Sequence, residues 1–345
     1  MIFVALPQHQ VGNRGGIATY TRELTAALED ADEHDIHIQG IGTQAGRQNP
    51  LVRLLYEQVR LPTASLGADI LHMSDFRVPV RRTCPVIATV HDIGFLTHPH
   101  LSRAAAGTYK RAAFRHMIRS TPEMIACDSR YTYDCVRCHA PQLADRCRIL
   151  PPGIGRVAPR DPVRSDPRYF LTVGSFEGRK NLDMLLRAYR RGRAAGEMME
   201  WIAVGPTDAA DRGLLRSLRS TAGVTVPGFV PPEELEQLWA RAAFLAMPSQ
   251  VEGFSYPVVE AMMRGVPVIA SCGSALDETA ADAALRIPAQ DERAWVEAIK
   301  RMATDAGERE RLSDAGMHHA ERFTWETRLP SFLSAYREVH AMGRA

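Results

Sequence analysis

Residues 249–271 read SQVEGFSYPVVEAMMRGVPVIAS, and they predict a loop and a short helix between two buried strands. The flanking strands are the apolar runs 242–247 and 266–270. Pro257 suits the first turn of a helix, where a missing N–H group costs nothing, and Gly265 suits the position at which a helix ends. Strand, loop, helix and strand in this order predict a parallel sheet, and the loop then lies at its carboxyl edge, where open α/β folds bind ligands.

Two carboxylates occupy this segment, Glu252 in the predicted loop and Glu260 about one turn into the helix. A carboxylate suits vicinal hydroxyls such as those of a ribose, and the free N–H groups of residues 253–256 at the helix start suit a phosphate or sugar hydroxyls. An anion beside two carboxylates needs cations, which Arg179 and Lys180 can supply. Two solvated helix-end charges are the alternative, but the glycine, the proline and the second strand around them favour a ligand site.

The two cations lie in the loop GSFEGRKN, residues 174–181, which follows the predicted strand 169–173. Lysine is rare in this chain: only three of its 42 basic residues are lysine, and Lys180 is one of them. A planar guanidinium and a compact ammonium contact a diphosphate in different ways, so the adjacent pair fits a diphosphate site.

The length of 345 residues suits two domains better than one core. The composition, 45% hydrophobic and 24% charged, is that of a globular protein, and a formal net charge of +2 does not indicate a nucleic-acid partner. Alternating apolar runs and helical segments predict an α/β fold with mostly parallel, doubly wound sheets. Strands are predicted at 2–6, 36–41, 69–73, 86–91, 124–127, 148–150, 169–173, 201–204, 224–226, 244–247, 266–270 and 285–287. Helices are predicted at 17–28, 50–61, 102–120, 129–139, 182–193 and 325–340, and in the remaining intervals of the second half.

A cluster of prolines between residues 151 and 167 marks a linker between the two alternating halves. We therefore expect an N-terminal domain at 1–152, a linker at 153–167 and a C-terminal domain at 168–324. The last helix has an apolar face that needs a surface to cover, and residues 325–345 are expected to complete the N-terminal domain.

Two features of the N-terminal half also fit a ligand site at the carboxyl edge of a parallel sheet. The loop GNRGG at 12–16 joins a strand to a helix, a layout that binds anions, and Gly15 and Gly16 permit close approach of the backbone. A simple tight turn explains that loop equally well. His91 and Asp92 end the predicted strand 86–91 and so lie at a carboxyl edge, although a core histidine bonded to a backbone carbonyl is the alternative.

Residues 93–122 contain no acidic residue. The basic side chains of this stretch are Arg103, Lys110, Arg111, Arg115 and Arg119. Three of these arginines recur at helical spacing, which is typical of a basic helix on an anionic membrane surface and also of a solvated helix face. Both interpretations stay open.

The cysteines and the apolar runs place further bounds on the chain. Cys127, Cys135, Cys138 and Cys147 cluster in sequence, but the one close pair falls in a predicted helix, so we expect reduced thiols and no metal site. The first apolar run is too short for a signal peptide and no run approaches a membrane span, so we expect a cytoplasmic protein, with contact to the inner face of the plasma membrane if the basic stretch binds lipid.

These residues together resemble the retaining glycosyltransferases of family 4, which have two Rossmann-like domains facing each other across a cleft, the GT-B arrangement. The resemblance runs over nearly the whole chain, and its most specific part is Glu252 and Glu260 within EGFSYPVVEAM. Further matching pieces are GGIA at 15–18, His91-Asp92, CDS at 127–129, LPPG at 150–153, VG at 173–174 with RKNL at 179–182, and FTWE at 323–326.

The resemblance implies roles for the matching residues. Glu260 would bind the ribose of a nucleotide-sugar donor, and Glu252 would lie near the donor sugar. Arg179 and Lys180 would hold the diphosphate in place of a metal, and His91 would lie at the reacting face. His91, Glu252, Arg179 and Lys180 are thus the predicted catalytic set. The other predicted donor-binding residues are Gly15, Gly16, Gly174, Gly253, Phe254 and Ser255.

The resemblance also implies substrates, no cofactor and no metal. It is greatest to mannosyltransferases of bacterial surface polysaccharides, which favours GDP-mannose as donor, ahead of a UDP-hexose, and a saccharide or polyprenyl-diphosphate-linked saccharide as acceptor. The chain departs from many members at Ser175, where they have arginine, and at Ser255 and Tyr256, where they have a small residue and leucine. A sugar-nucleotide epimerase and a non-catalytic nucleotide-sugar sensor are the other functions that this layout permits.

Overall fold

Two six-stranded parallel sheets organise the chain, one in each of two units. A computed structural model describes residues 1–9, 11, 15–31, 33–42, 55–102, 104–155, 157, 168–196, 198–208 and 210–344. Unit 1 comprises Met1–Gly155 and Phe323–Ala345, and unit 2 comprises Arg156–Arg322. The predicted linker 153–167 lies outside the described residues except for 153–155 and 157.

The sheet of unit 1 has the strand order β2-β1-β3-β4-β5-β6, and its paired strands are parallel. Its strands are β1 (Ile2–Pro7), β2 (Ile36–Ile41), β3 (Ile70–Met73), β4 (Val86–Val90), β5 (Met124–Cys127) and β6 (Cys147–Ile149). Every residue of β3, β4 and β5 is buried. Continuous apolar runs of this kind are expected where helices cover both faces of a parallel sheet.

Helices connect these strands. They are α1 (Gly16–Glu29), α2 (Leu61–Ala64), α3 (Gly94–Thr97), α4 (Ala104–Ser120) and α5 (Arg130–His139). A π-helical turn, Tyr56–Arg60, leads directly into α2, so the predicted helix 50–61 is present from there, and residues 50–54 lie outside the described part. Short 3₁₀ turns occur at Pro99–Leu101 and Pro141–Arg146.

The sheet of unit 2 has the order β12-β11-β10-β7-β8-β9, again with parallel pairing. Its strands are β7 (Tyr169–Val173), β8 (Glu200–Val204), β9 (Val224–Gly228), β10 (Ala242–Met247), β11 (Val268–Ser271) and β12 (Leu285–Ile287). Its helices are α6 (Leu182–Ala194), α7 (Arg212–Arg219), α8 (Pro232–Arg241), α9 (Tyr256–Met263), α10 (Leu276–Thr279), α11 (Glu292–Thr304) and α12 (Ala306–Ala320). Further 3₁₀ turns lie at Gly178–Lys180, Ala281–Ala283 and Glu321–Phe323.

The core of unit 2 contains a stack of aromatic rings on three neighbouring strands. Phe170 lies parallel to Phe244, with ring centroids 5.1 Å apart, and stacks on Trp201 at 5.7 Å. Stacked aromatic pairs add to the free energy gained from burial. The stack fixes the centre of the sheet, from whose strands the loops of the candidate site emerge.

The final helix, α13 (Trp325–Met342), belongs to unit 1, where it packs against α1, β1 and β3. Its Tyr336 hydroxyl lies 2.8 Å from Nδ1 of the fully buried His72 on β3. Trp325, the first residue of α13, packs against Gly153. A Cβ atom on Gly153 would lie 2.4 Å from the Trp325 ring, so position 153 requires glycine.

The structure confirms the predicted α/β class and both parallel sheets. All twelve predicted strands are present, and their bounds differ from prediction by at most two residues at either end. Within the described residues, no helix is both long enough and apolar enough to cross a membrane.

Gly205 of unit 2 lies where the backbone approaches Gly174 closely, and its replacement tests whether a side chain fits there. A Cβ atom on Gly205 would lie 1.9 Å from the carbonyl oxygen of Gly174, and Gly205 has a φ of +147°. We expect Gly205→Ala to lower the free energy of unfolding by at least about 2 kcal/mol, because clash and backbone strain add. Gly196→Ala is the control: φ is +78° there, but no atom of the described part of the chain lies within 4 Å of its Cβ position, so only about 1 kcal/mol of strain is expected. Equal losses in urea unfolding would contradict the steric argument.

Candidate active site

The segment 249–271 has the predicted strand, loop and helix arrangement. β10 ends at Met247, α9 begins at Tyr256 with Pro257 in its first turn, and β11 follows. α9 ends in a Schellman motif: the N–H of Gly265 donates to the Met262 carbonyl (3.0 Å) and the N–H of Val266 to the Ala261 carbonyl (2.8 Å), with Gly265 at a φ of +68°. The glycine is required because a residue with a side chain is strained at this φ.

The structure brings Arg179, Lys180 and Glu252 into direct contact at the carboxyl edge of the unit 2 sheet. Arg179 Nη1 donates to Glu252 Oε2 (2.9 Å) and to the Val251 carbonyl (3.3 Å), and Lys180 Nζ donates to Glu252 Oε1 (2.5 Å). Lys180 and Glu252 are buried, with 8% and 5% of their surfaces exposed. Each carboxylate oxygen of Glu252 thus accepts from a different cation.

Burial and charge oppose one another in this cluster. Burial alone would raise the pKa of Glu252, but Lys180 and Arg179 lower it, to about 2 overall. Burial lowers the pKa of Lys180, and the Glu252 carboxylate opposes that effect. We therefore assign Glu252 as an anion and Lys180 as a cation at neutral pH. Glu177, which accepts from Arg179 Nε (3.0 Å), brings a second carboxylate to the cluster.

Two residues that the sequence analysis did not assign hold the cations in place. Asn181 adopts the left-handed conformation (φ 58°), and its Nδ2 donates to the carbonyls of Pro248 (3.1 Å) and Ala289 (2.6 Å). The N–H of Gln250 donates to the carbonyl of Arg179 (2.8 Å). These bonds tie the turn that carries the cations to the loop that carries Glu252. The adjacent motif Arg-Lys-Asn was the only sequence signal for Asn181, and Gln250 had none.

A narrow pocket lies beside the ammonium group of Lys180, at the carboxyl edge of β7 and β10. Gly174, Met247 and Pro248 line it together with Lys180. Gly174 has a φ of +144°, and a Cβ atom there would lie 3.6 Å from Lys180 Nζ. Glycine suits this position because its φ lies in a region that residues with a side chain rarely adopt, and its place in a donor site stays a prediction.

The loop between Glu252 and α9 is tied to the start of α10. The N–H of Ala275 donates to the Glu252 carbonyl (3.2 Å), and Thr279 Oγ1 donates to the Phe254 carbonyl (2.7 Å). Ser255 has a φ of +89°, which is rare for a residue with a side chain, and its buried hydroxyl has no hydrogen-bond partner among the described residues. Strain and an unpaired polar atom at one position are features that cluster at binding sites.

Gly253 lies in this loop, and Glu260 lies on α9 one turn after the helix start, as predicted. The carbonyl of Glu260 accepts from Arg264 Nη1 (2.9 Å), whose guanidinium also pairs with Glu236. The assignment of Glu260 to a ribose stays a prediction.

In unit 1, His91 lies at the carboxyl edge of the sheet, immediately after β4. Its Nδ1 is 2.6 Å from Asp128 Oδ2 and its Nε2 is 2.8 Å from the carbonyl oxygen of Ser74. Thr132 Oγ1 donates to the His91 carbonyl (3.1 Å). His91 therefore joins the ends of β3, β4 and β5, and Asp128 is a partner that the sequence analysis did not assign.

The glycines of the N-terminal loop lie at the start of α1. Gly15 has a φ of +115° and α1 begins at Gly16, and a Cβ atom at either position would have no atom of the described residues within 4 Å. Residues 12–14 of the predicted anion loop lie outside the described part of the chain. The roles of Gly15 and Gly16 on a diphosphate stay predictions.

The basic stretch forms α4, and its apolar side faces the core. Phe114 and Met117 are buried in the unit 1 core, whereas Lys110, Arg115 and Arg119 are exposed. Arg111 is half-buried and donates to Thr108 (3.1 Å), and Arg103 lies outside the described residues. A helix whose apolar side is already covered cannot insert that side into a bilayer, so only the electrostatic part of the membrane interpretation remains open.

The six cysteines are free thiols. Cys135 and Cys138 lie on α5, and the residues that the structure describes include no cluster of three or more His, Cys, Asp or Glu side chains suited to a metal ion.

Comparison with known proteins finds a family model that matches most of unit 2. The family model "Glycosyl transferases group 1" matches residues 158–319. Over this segment the chain is therefore similar to the group 1 glycosyltransferases. The match covers β7 to α12 and so includes the Arg179, Lys180 and Glu252 cluster.

Curated relatives of the chain are known from several bacteria. The chain is 27% identical over 290 residues to O-antigen chain mannosyltransferase B of Escherichia coli, which covers 78% of the chain and 74% of that protein. It is 31% identical over 218 residues to a D-inositol 3-phosphate glycosyltransferase of Stackebrandtia nassauensis, which covers 56% of the chain and 49% of that relative. The chain thus spans about half the length of the second relative.

Solved structures extend the likeness to both units. Sucrose-phosphate synthase from Thermosynechococcus elongatus has a TM-score of 0.81 and 21% identity, covering 99% of this chain and 100% of that one. The Anabaena protein HepE in complex with UDP-glucose has a TM-score of 0.75 and 16% identity, covering 98% and 100%. At these identities the likeness shows the fold, which is GT-B, as the resemblance implied.

Proposed function

We propose that this group 1 glycosyltransferase moves a hexose, with retention of anomeric configuration, from a nucleotide-sugar to a saccharide or lipid-linked saccharide. The observation that carries the proposal is the convergence of Arg179 and Lys180 on Glu252 beside the pocket at Gly174. A guanidinium and a buried ammonium at a carboxyl sheet edge suit the diphosphate of a sugar donor.

The cluster can hold a diphosphate without losing its internal contacts. An ammonium has three N–H donors, and Glu252 Oε1 accepts one of those of Lys180. Glu252 therefore orients the cation while the remaining donors can contact phosphate oxygens. Negative charge grows on those oxygens as the sugar leaves, so fixed cations stabilise the transition state more than the ground state. We propose that these cations do the work that a metal ion does in other transferases.

We further propose that the acceptor hydroxyl attacks the same face from which the diphosphate leaves, assisted by the leaving phosphate. This keeps the anomeric configuration without a protein nucleophile. GDP-mannose is the first donor to test, because the E. coli relative is a mannosyltransferase. A UDP-hexose is the second, because HepE was solved with UDP-glucose.

Donor turnover tests the proposal directly. The protein is incubated with GDP-mannose, UDP-glucose or UDP-galactose and with a set of polyprenyl-diphosphate oligosaccharides, and released GDP or UDP is measured. We expect acceptor-dependent release from one donor class, unchanged by EDTA, and an NMR coupling constant of the new linkage that shows retention. Absence of turnover with both donor classes, or a product of inverted configuration, would contradict the proposal.

The membrane and acceptor assignments rest on the same proposal. The exposed basic residues Lys110, Arg115 and Arg119 of α4 fit the headgroups of an anionic membrane surface or the diphosphate of a polyprenyl-linked acceptor. If these residues bind an anionic membrane surface, we expect the protein to bind anionic vesicles but not neutral ones, and we expect salt to reduce that binding.

A further inference from the structure

Three strand ends of unit 1 converge on the ring of His91. In the parallel sheet β3 pairs with β4 and β4 with β5, with Val90 opposite Cys127. Ser74, His91 and Asp128 each follow directly on the last residue of their strand. The register therefore places one carbonyl, one imidazole and one carboxylate side by side at the same edge.

The partners of His91 decide how many protons its ring carries. Nε2 faces the carbonyl oxygen of Ser74 at 2.8 Å, and a carbonyl can only accept, so Nε2 carries a proton. Nδ1 faces Asp128 Oδ2 at 2.6 Å. If that carboxylate is ionised it also only accepts, and both ring nitrogens must then donate. The geometry fits an imidazolium that is bonded on both sides.

The charges around the ring favour this state. Burial alone would lower the pKa of His91, but the charge and hydrogen bond of Asp128, the Ser74 carbonyl and the charge of Asp75 raise it, to about 9. Burial raises the pKa of Asp128, and the charge of His91 opposes that rise. Asp75, which follows β3, is itself paired with Arg77.

The other polar groups near the His91 ring are Tyr20 and His72, which are uncharged, and Asp92, its neighbour in the sequence. Tyr20 of α1 packs edge-on against His91, with ring centroids 4.9 Å apart, and its hydroxyl lies 3.3 Å from Nε2 of His72. Burial and the charge of His91 lower the pKa of His72 to about 3, so His72 is neutral. Asp92, the next residue along the chain, accepts from the N–H of Gly94 (3.0 Å). Asp128 is therefore the carboxylate that lies within hydrogen-bond distance of the His91 ring.

We propose that Asp128 is a positioning residue of the transfer reaction, because it keeps His91 as an imidazolium whose two N–H groups hold the carboxyl edge of the unit 1 sheet in its active arrangement. His91 then has no ring nitrogen with which to accept a proton from a substrate. Its ring acts as a fixed charged link between three strand ends and, through Tyr20, the first turns of α1. The kinetic consequence rests on the transferase activity proposed above, whereas the protonation state of His91 does not.

The protonation state is tested without any assay of activity. Long-range ¹H–¹⁵N spectra of the full chain labelled with ¹⁵N-histidine are recorded at pH 7.5, and the signals of His91 are assigned by their absence in His91→Gln. We expect two protonated ring nitrogens in the wild-type protein, and one unprotonated nitrogen in Asp128→Asn. An unprotonated nitrogen of His91 in the wild-type protein would overturn the proposal.

The kinetic test compares kcat of the wild-type protein at pH 8 with that of two variants. Asp128→Asn removes the charge that stabilises the imidazolium, so we expect kcat to fall about 10- to 100-fold, with KM for the donor little changed. Asp128→Glu should restore most of kcat because it keeps a carboxylate. Asp134→Asn on the exposed side of α5 is the matched control and should leave kcat unchanged.

A wild-type kcat at pH 8 in Asp128→Asn would overturn the role of Asp128. An equal loss of kcat in Asp128→Glu and in Asp128→Asn would also overturn it, since the two variants differ in the charge that they place beside His91. If no donor is turned over by the wild-type protein, the proposed function fails, while the nitrogen spectra still decide the state of His91.

Discussion

Replacement of Lys180 by alanine is expected to lower kcat/KM for the nucleotide-sugar by about 10²–10³-fold, the loss typical of removing one fixed group that stabilises charge in a transition state. Lys180 is the more buried of the two cations, and its ammonium lies beside the pocket at Gly174. In a site screened from water its interaction with a leaving phosphate is stronger than at the surface. The measurement is initial-rate kinetics with the donor identified by nucleotide release.

Two further variants separate charge from position and from stability. Lys180→Arg keeps the charge but replaces a compact ammonium by a planar fork, so we expect partial activity. Lys300→Ala on α11 is the matched control, since it removes a lysine far along the sequence from the cluster, and it should leave kcat/KM unchanged. Circular dichroism shows whether Lys180→Ala remains folded. A folded Lys180→Ala protein with wild-type kcat/KM would disprove the assignment of this residue to the diphosphate.

Local sequence signals predicted the fold because they follow from backbone chemistry. Pro257 and Gly265 bound α9 for reasons that any helix obeys, and the apolar runs could be assigned as buried strands from their length and spacing. The same signals placed Arg179 and Lys180 in a loop at the carboxyl edge. These local signals could not show that both cations share one carboxylate. Glu252 lies 73 positions after Arg179 and 72 after Lys180, too far along the chain for a local pattern to predict the contacts.

The contact between Asp128 and His91 depends on the register of neighbouring strands, which cannot be predicted from the sequence. Asp128 contacts His91 because Val90 lies opposite Cys127, and a shift of one residue would turn either side chain to the other face. The surroundings of the basic helix α4 could not be predicted from the sequence either. Its pattern of charges is the same whether the apolar residues face a bilayer or a core, and only the packing of Phe114 settles that they face the core.

Replacement of Glu252 by glutamine is expected to lower the free energy of unfolding of unit 2 by about 3–5 kcal/mol at neutral pH, because it leaves the buried Lys180 ammonium without its counter-ion. The amide has nearly the same shape, so the loss reports charge and not packing. Fluorescence follows this unfolding well, since three of the four tryptophans, Trp201, Trp239 and Trp295, lie in unit 2. Glu233→Gln on the exposed surface of α8 is the control and should change stability little.

The pH dependence of that loss distinguishes an ion pair from a packing defect. The pKa of Glu252 is lowered from 4.5 to about 2 in the folded protein, so its carboxylate contributes stability that is complete above the unfolded value. That contribution decreases as pH falls from 4.5 towards 2, and it is lost below about pH 2, where the carboxyl group is protonated in both states. The difference in unfolding free energy between wild type and Glu252→Gln should therefore be constant from pH 6 to 8 and shrink below pH 4.5. A difference that persists unchanged at pH 3 would mean that Glu252 stabilises unit 2 by its shape, and the ion-pair cluster would then lose its main support.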